Sequence, residues 1–269
     1  MDRSKQKSAQ IRTLPFETRI LHPQMLHFAQ IDSTNSYLLR QHVHPPGTVV
    51  MADYQTHGKG RLGRSWLSKE SESLLFSIYL TENLHHYPLY AFTFLAAVAV
   101  HDGLLHCIPD SALEVKWPND VLLNGKKVCG ILVQSRMLSA NETRVVIGIG
   151  ININQPASFF QNDLRFGTSL FAYRGEPLER RAVLDPVLQA IDRQLLVLRE
   201  QGAAPILEKW KRCCRSLGKS VAVDDGQQIQ RGIFLGLAPD VGLILQTANG
   251  KNIFYAADVS LVKEEPECS

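Results

Sequence analysis

The chain has 269 residues, 45% of them hydrophobic and 20% charged, which is ordinary for a globular protein with one large core and a small second domain. The net charge of +3 is too small to indicate nucleic-acid binding through bulk charge, so an anion site would need local clustering of cations. Five cysteines without a CxxC pair predict neither a zinc cluster nor a disulfide scaffold. The N-terminus has no apolar signal segment, and the longest apolar run is too short to span a bilayer, so we expect a cytoplasmic protein.

Strands and helices follow one another in the larger, N-terminal part of the chain. Residues 1–24 are polar and basic and contain Pro15 and Pro23, so they predict a loose tail. Asp32 or Ser33 can cap a short helix that continues to about residue 43. The other expected elements are strands over Thr48–Tyr54, Ser73–Leu80, Asp120–Leu123, Lys126–Gln134 and Arg144–Asn154, and helices over Leu89–Cys107, Glu179–Glu200 and Ala203–Arg212.

The pattern changes near Ser216, where short strands separated by turns replace the helices. Several strands at this close spacing are typical of a small β-barrel of about fifty residues. The sequence therefore predicts a loose tail over 1–24, an α+β catalytic core over 25–216 and a C-terminal barrel over 217–269. The expected barrel strands are Ser220–Val223, Gln228–Leu237, Gly242–Gln246 and Asn252–Tyr255.

A glycine-rich basic loop occupies Gln55–Arg64 and runs on to Trp66. Glycines allow a ligand to approach the backbone closely, and the backbone N–H groups of such a loop can surround an anion. Lys59, Arg61 and Arg64 add positive charge, and arginine can bind phosphate or carboxylate through two hydrogen bonds. A solvated basic turn or a nucleic-acid contact is an equally good interpretation of this composition.

A second motif, Lys116–Asp120, is followed by a predicted hairpin that turns at Asn124-Gly125 and carries Lys127 and Gly130. Asp120 could hold a magnesium ion or a ribose hydroxyl, and Gly130 leaves room for a flat group. The alternative is a turn-capping Asn-Asp pair beside two surface lysines.

Two further motifs are shorter. Gly148–Asn154 places Asn152 and Asn154 on one face of a strand, and amide side chains that are buried there need hydrogen-bond partners. Asparagines that face solvent would explain the same pattern. Ser33-Thr34-Asn35 begins a predicted helix, where the same residue types also serve as caps.

Taken together and in this order, the motifs resemble the signature of the biotin–protein ligases, from about Phe28 to Leu261. The resemblance implies a catalytic domain akin to class II aminoacyl-tRNA synthetases and a C-terminal SH3-like barrel. It implies an ATP-dependent ligase that converts biotin to biotinyl-5'-AMP with release of pyrophosphate. The biotin then passes to a lysine of a biotin carboxyl carrier protein, such as a subunit of acetyl-CoA carboxylase.

The resemblance also implies roles for individual residues. Arg61 and Lys127 are the candidate catalytic residues, and Asp120 is the candidate ligand of Mg²⁺. The residues expected to bind biotin are Ser33, Thr34, Asn35, Gln55, Lys59, Gly60, Arg61, Lys127 and Gly130. The residues expected to bind ATP are Arg61, Arg64, Trp66, Lys116, Asn119, Asp120, Lys127 and Asn152. Lys59 stands where arginine is common in the family, so the charge is kept but the bidentate hydrogen bonding of a guanidinium is lost.

Two rival functions have to be compared with this one. A lipoate or octanoate ligase would share the catalytic fold, but it would need a long apolar slot instead of polar residues for the ureido group of biotin. A biotin-responsive repressor would carry an N-terminal helix-turn-helix, and the short tail before Phe28 leaves no room for one. We therefore expect a monofunctional ligase that binds neither DNA nor membranes. The sequence is compatible with a homodimer.

Overall fold

A large mixed sheet forms the centre of the N-terminal part of the computed structural model, which describes residues 9–40 and 44–262. The sheet order is β1-β2-β3-β4-β8-β7-β6-β5, and within it β2 and β3 pair in parallel while the other neighbours are antiparallel. The strands are β1 (Gln10–Thr13), β2 (Gln24–Ile31), β3 (Val49–Gln55), β4 (Ser73–Glu82), β5 (Leu113–Lys116), β6 (Asp120–Leu123), β7 (Lys126–Ser139) and β8 (Glu142–Asn152).

Helices cover both faces of this sheet. On one face, α2 (Leu89–Leu104) is buried almost all round, because α4 (Arg180–Gln201) and α5 (Ala204–Cys213) pack over it. Gly103 allows the close approach of α4, since a Cβ at this position would lie 2.5 Å from Val187 Cγ2. On the opposite face, α1 (Thr34–Arg40) packs over a smaller apolar cluster. A short helix, α3 (Leu170–Arg174), precedes α4, and among the described residues no helix is long and apolar enough to cross a membrane.

The C-terminal part is a separate antiparallel sheet in the order β12-β11-β10-β9-β13. Alternate residues of its strands are fully buried, among them Val221, Phe234 and Leu245. The predicted α+β class with a small C-terminal β domain is confirmed. The strands are β9 (Ser220–Asp224), β10 (Ile229–Leu237), β11 (Leu243–Thr247), β12 (Gly250–Phe254) and β13 (Asp258–Leu261).

The expected loose tail needs correction for residues 10–24, while residues 1–8 lie outside the described part of the chain. Residues 10–13 form β1, which pairs with β2, and Leu14 and Leu21 are buried in the main core. The carboxylate of Asp192 on α4 accepts backbone hydrogen bonds from residues 19, 20 and 21 at 2.8–2.9 Å. Polarity and prolines alone predicted a tail, because the buried partner of this segment, Asp192, lies more than 170 residues later in the chain.

Candidate active site

One cavity collects most of the predicted site residues on the α1 side of the main sheet. The start of α1, the glycine-rich loop, the β6–β7 hairpin, the strand β8 and the C-terminal sheet all contribute to its walls. The predicted residues that line it are Ser33, Thr34, Asn35, Gln55, Lys59, Gly60, Arg61, Arg64, Trp66, Asn119, Asp120, Lys127 and Gly130. Four motifs that are far apart in sequence therefore meet at one place.

A buried polar cluster occupies one end of the cavity. The backbone N–H and the hydroxyl of Thr34 both donate to Gln55 Oε1, at 2.7 and 3.0 Å. Ser77 Oγ lies 2.7 Å from Thr34 Oγ1 and 2.6 Å from Asn35 Oδ1, and it is fully buried. The Asn35 amide donates to Leu132 O at 3.1 Å and to Gln134 Oε1 at 3.0 Å. These bonds fix each donor and acceptor in place, so the cluster can recognise a small polar group.

Glycine at position 148 makes this cluster compatible with the sheet. A Cβ at Gly148 would lie 2.1 Å from Asn35 Oδ1, so any side chain there would displace Asn35. Beside the cluster, Leu75, Phe76 and Ile149 line the cavity with apolar surface. The combination suits a ligand with a polar head and an apolar body.

The glycine-rich loop folds back on itself across the cavity. Gly60 N donates to Arg64 O at 2.7 Å, and Trp66 N donates to Gly58 O at 3.0 Å. The turn requires left-handed backbone at Leu62 (φ 54°) and Gly63 (φ 74°). The loop therefore forms a closed hairpin that carries its cationic side chains to the cavity.

Arg61 and Arg64 connect this loop to two other parts of the protein. Arg61 Nη1 donates to Asn119 Oδ1 at 3.0 Å, next to the β6 strand. Arg64 Nη2 lies 2.9 Å from Asp258 Oδ2, on the C-terminal sheet. Burial lowers the pKa of Arg61, and the charge of Asp120 acts in the opposite direction. An arginine stays charged despite such shifts, so the cavity keeps its positive potential.

Trp66 lies flat against the sheet at two glycines. A Cβ at Gly130 would come within 2.7 Å of its ring, and a Cβ at Gly150 within 2.6 Å. Lys127 Nζ is 5.8 Å from the centroid of the same ring. Among the described residues the buried Trp66 Nε1 finds no hydrogen-bond partner. This indole N–H is therefore a donor that a bound ligand could satisfy.

Lys127 points into the cavity from the start of β7. Its Nζ lies 2.7 Å from Asp120 Oδ1. Its backbone is held on both sides, since Lys127 N donates to Phe166 O at 2.7 Å and Thr168 N donates to Lys127 O at 2.8 Å. An ammonium in a fixed position beside three other cations can bring anionic groups together.

The structure does not bring every predicted residue to the cavity wall. Lys116 is half-buried outside the lining, and Asn152 is buried beneath it. Asn152 Nδ2 donates to Thr168 O at 2.9 Å, and its Oδ1 accepts from Gln155 Nε2 at 3.2 Å. Asn152 thus fixes the segment that pairs with the backbone of Lys127.

Three residues of the site were missed by sequence reasoning. Ser77 is a polar residue on the apolar strand β4, and Gln134 follows the apolar run Ile131–Val133 within β7, so both carried a weak signal. Asp258 carried none, because its partner Arg64 lies almost two hundred residues earlier. Burial tends to raise the pKa of Asp258, but its hydrogen bond and ion pair with Arg64 outweigh this and lower it.

Comparison with known proteins agrees with this geometry. The biotin/lipoate A/B protein ligase family model matches residues 27–152, and the biotin protein ligase C-terminal domain model matches residues 216–262. A bifunctional ligase/repressor BirA of Bacillus spizizenii is 32% identical over 91% of this chain and 76% of its own length. A biotin–[acetyl-CoA-carboxylase] ligase of Paracoccus denitrificans is 32% identical over 86% of this chain and 98% of its own length.

A solved structure is similar over the same extent. The biotin protein ligase from Aquifex aeolicus in complex with biotin and ATP superimposes with a TM-score of 0.73 and 31% identity, covering 89% of this chain and 99% of that one. The relatives thus cover both the N-terminal part with its cavity and the C-terminal sheet. This chain belongs to the biotin protein ligase family.

Proposed function

We propose that the cavity performs both half-reactions of an ATP-dependent biotin–[acetyl-CoA-carboxylase] ligase. The observation that carries this proposal is that one cavity joins a fixed polar cluster at Thr34 and Asn35 to four cationic side chains. Biotin has a polar ureido head, an apolar body and a carboxylate tail, and the cavity offers a complementary partner for each part. Curated relatives that are 32% and 26% identical have the same activity in their names.

Biotin enters with its ureido group on the polar cluster. Thr34, Asn35 and Gln55 contact the ureido oxygen and N–H groups, and Ser77 holds Thr34 and Asn35 in position. The chain of biotin passes along Trp66, whose ring occupies the space that Gly130 and Gly150 leave on the sheet. Its carboxylate then lies near Lys127.

The first half-reaction brings two anions together. An oxygen of the biotin carboxylate forms a bond to the α-phosphorus of ATP, and the bond from that phosphorus to the oxygen bridging the α- and β-phosphates breaks. Pyrophosphate leaves with the electron pair. Arg61, Arg64 and Lys127 neutralise the charge that concentrates at this centre, which is the main contribution a protein makes to phosphoryl transfer.

The second half-reaction transfers biotin to the carrier protein. The neutral amine of a carrier lysine forms a bond to the acyl carbon, the bond from that carbon to the phosphate oxygen breaks, and AMP leaves with the electron pair. The amine releases its surplus proton to solvent. A loop that closes over the adenylate protects it from water until the lysine arrives.

Mg²⁺ accompanies ATP in this proposal. Magnesium is usually held by one or two carboxylates together with substrate phosphates, and Asp120 supplies one carboxylate on the cavity wall. Within the described ranges no cluster of three or more His, Cys, Asp or Glu side chains could hold a metal by itself. Bound with the nucleotide, the ion would neutralise phosphate charge, and Asp120 would orient it.

ATP–pyrophosphate exchange compared with biotin, lipoate and octanoate tests the proposed function. We expect exchange with biotin only, because the polar cluster at Thr34 and Asn35 would leave buried polar groups without partners if it faced an aliphatic chain. Exchange with lipoate or octanoate but not biotin would favour the rival ligase. The identity of the carrier, a homodimer, a cytoplasmic location and the lack of DNA binding stay predictions.

A further inference from the structure

A second cavity lies in the cleft between the two parts of the protein. Tyr90 and Phe94 at the start of α2 and the ring of Trp117 form its wall on one side. Asp240 and Tyr255 form its wall on the other side, from the C-terminal sheet and its turns. The cleft is therefore mainly aromatic, with one carboxylate at its rim.

This cleft adjoins the reaction cavity. Arg61, Asn119, Ile131 and Leu132 line both of them. Arg61 and Asn119 are hydrogen-bonded to each other at 3.0 Å, and they stand between the two spaces. A group that enters the cleft from the C-terminal side therefore meets this pair next to the centre where the adenylate forms.

Hydrogen bonds between the two parts hold the cleft in shape. The buried Trp117 Nε1 donates to Val241 O at 3.0 Å, and the Tyr90 hydroxyl donates to Pro239 O at 3.4 Å. On the rim, the Tyr255 hydroxyl donates to Asp240 Oδ2 at 2.8 Å. Both walls are thus fixed before any partner binds, which lowers the entropic cost of binding.

Charge distinguishes the cleft from the reaction cavity. Lys59, Arg61, Arg64 and Lys127 make the reaction cavity repulsive to a lysine ammonium. Of these four cations Arg61 alone also lines the cleft, at its inner end. At the rim Asp240 attracts an ammonium, and aromatic faces bind cations as well as the apolar stem of lysine. A lysine that approaches through the cleft can leave solvent gradually before its amine is deprotonated.

Apolar surface continues outward from the cleft on the C-terminal sheet. Tyr255 is 60% exposed and Ile253 is 49% exposed, and both lie over Gly242, where a Cβ would come within 3 Å of either side chain. Beside the open cleft, these two side chains offer apolar surface that a protein partner can bury. The exposed patch and the cleft together form one continuous face.

We propose that the acceptor lysine of the biotin carrier protein enters through this cleft, with the surrounding part of the carrier seated on Ile253 and Tyr255. The proposal rests on the ligase function and adds where the protein substrate binds. Asp240 is the residue that selects a cationic side chain at the entrance. It takes no part in the formation of biotinyl-AMP.

The test is a charge reversal at the rim, Asp240→Lys, assayed in three reactions. The probes are the biotin-carrying domain of an acetyl-CoA carboxylase, hydroxylamine as a small nucleophile, and biotin-dependent ATP–pyrophosphate exchange. We expect the KM for the carrier domain to rise about tenfold, because like charges across an interface are unfavourable. Exchange and transfer to hydroxylamine should keep their normal rates.

Two further variants make the result specific. Glu200→Lys changes charge by the same amount at an exposed position at the end of α4, and it should leave all three reactions unchanged. Asp240→Asn keeps an acceptor for Tyr255 and should raise the KM for the carrier less than the lysine variant. A carrier KM in Asp240→Lys equal to that in Glu200→Lys would overturn the proposal, and so would a parallel loss of exchange. Absence of biotin-dependent exchange in the unaltered enzyme would instead overturn the ligase function itself.

Discussion

Lys127 combines a fixed backbone with a side chain whose ion-pair partner, within the part of the chain that the structure describes, is Asp120 at 2.7 Å. Its side chain is 38% exposed, so removing it leaves no buried void. We expect Lys127→Ala to fold normally and to lose adenylation by about 2–4 kcal/mol, since the ammonium acts mainly when two anions approach each other.

Exchange rates with biotin and ATP, measured beside a thermal unfolding curve, check this prediction. The same assay with Lys126→Ala is a suitable control, because Lys126 is the adjacent exposed lysine of β7 and does not line the cavity. Near-normal exchange in Lys127→Ala would assign Lys127 to the protein surface and leave Arg61 and Arg64 as the cations that matter.

Ser77 shows how a residue without direct substrate contact can determine substrate affinity. Its hydroxyl is fully buried and holds both Thr34 and Asn35. Ser77→Ala removes the hydroxyl that donates to Thr34 Oγ1 and Asn35 Oδ1, so the buried Asn35 Oδ1 loses this hydrogen bond while Thr34 keeps Gln55, at a cost of about 1–3 kcal/mol. We expect the KM for biotin to rise about tenfold or more, while the KM for ATP stays the same.

Ser73→Ala provides the matched control for this prediction. Ser73 is a fully buried serine on the same face of β4, but its hydroxyl accepts from Gln155 and does not touch the polar cluster. We expect it to lower thermal stability without a change in the KM for biotin. Equal effects of the two variants on that KM would mean that Ser77 acts through general packing of the strand.

Among the structural elements, β8 is the one whose sequence the site constrains most closely. Gly150 lies under Trp66 so tightly that a Cβ would be 2.6 Å from the ring. Gly150→Ala should therefore displace Trp66 and the glycine-rich loop that ends at it, since the ring cannot be compressed and the sheet backbone is held on both sides. We expect a protein with normal secondary structure and a strongly reduced rate of adenylation.

Tryptophan fluorescence reports this displacement, because Trp117 and Trp210 are deeply buried and Trp66 is not. Ala222→Gly is the control, because it also exchanges alanine and glycine within a strand but lies on the C-terminal sheet, away from the cavity. Unchanged fluorescence together with full activity in Gly150→Ala would contradict the close packing of Trp66 on β8.

The elements that the sequence predicted well are those with a strong local pattern. The long apolar run of α2 and the Asn124-Gly125 turn between β6 and β7 follow from composition and turn chemistry. β2 was missed, because its buried residues do not alternate regularly and its parallel partner β3 follows only after a helix. Pairing over such a distance depends on the whole fold.

The same distinction applies to the site. Motifs with glycines and cations predicted where the ligands would lie, because close backbone approach and charge are visible in a short segment. Asn152 illustrates the limit, since its motif is in the predicted place but its amide is bonded to Thr168 and Gln155. The hydrogen-bond partner of a buried amide depends on the conformation of nearby loops, which no local sequence pattern predicts.

At the scale of the whole molecule, the C-terminal sheet is part of the active site. Asp258 and Ala257 line the cavity, and the Trp117–Val241 hydrogen bond attaches the two parts beside it. Both the glycine-rich loop and the cavity therefore depend on the position of a domain that carries none of the four motifs.

Removing the charge of Asp258, the ion-pair partner of Arg64, should change the KM for ATP. The direction of that change distinguishes two possible roles of Asp258. Both side chains are more than half exposed, so the pair contributes at most about 1 kcal/mol. If Asp258 occupies Arg64 until phosphate replaces it, Asp258→Asn removes both the competitor and a repulsive charge, and the KM for ATP should fall about two- to fivefold. If Asp258 instead positions Arg64 for ATP, the same KM should rise. We expect the KM for ATP to fall, because a carboxylate in a cavity lined by cations that bind anions is unfavourable once the triphosphate binds.

The measurement is the KM for ATP in biotin-dependent exchange at low and high salt, and the effect should shrink at high salt, where exposed charges are screened. Asp225→Asn is the control, since Asp225 is an exposed carboxylate in the turn after β9 and does not line the cavity.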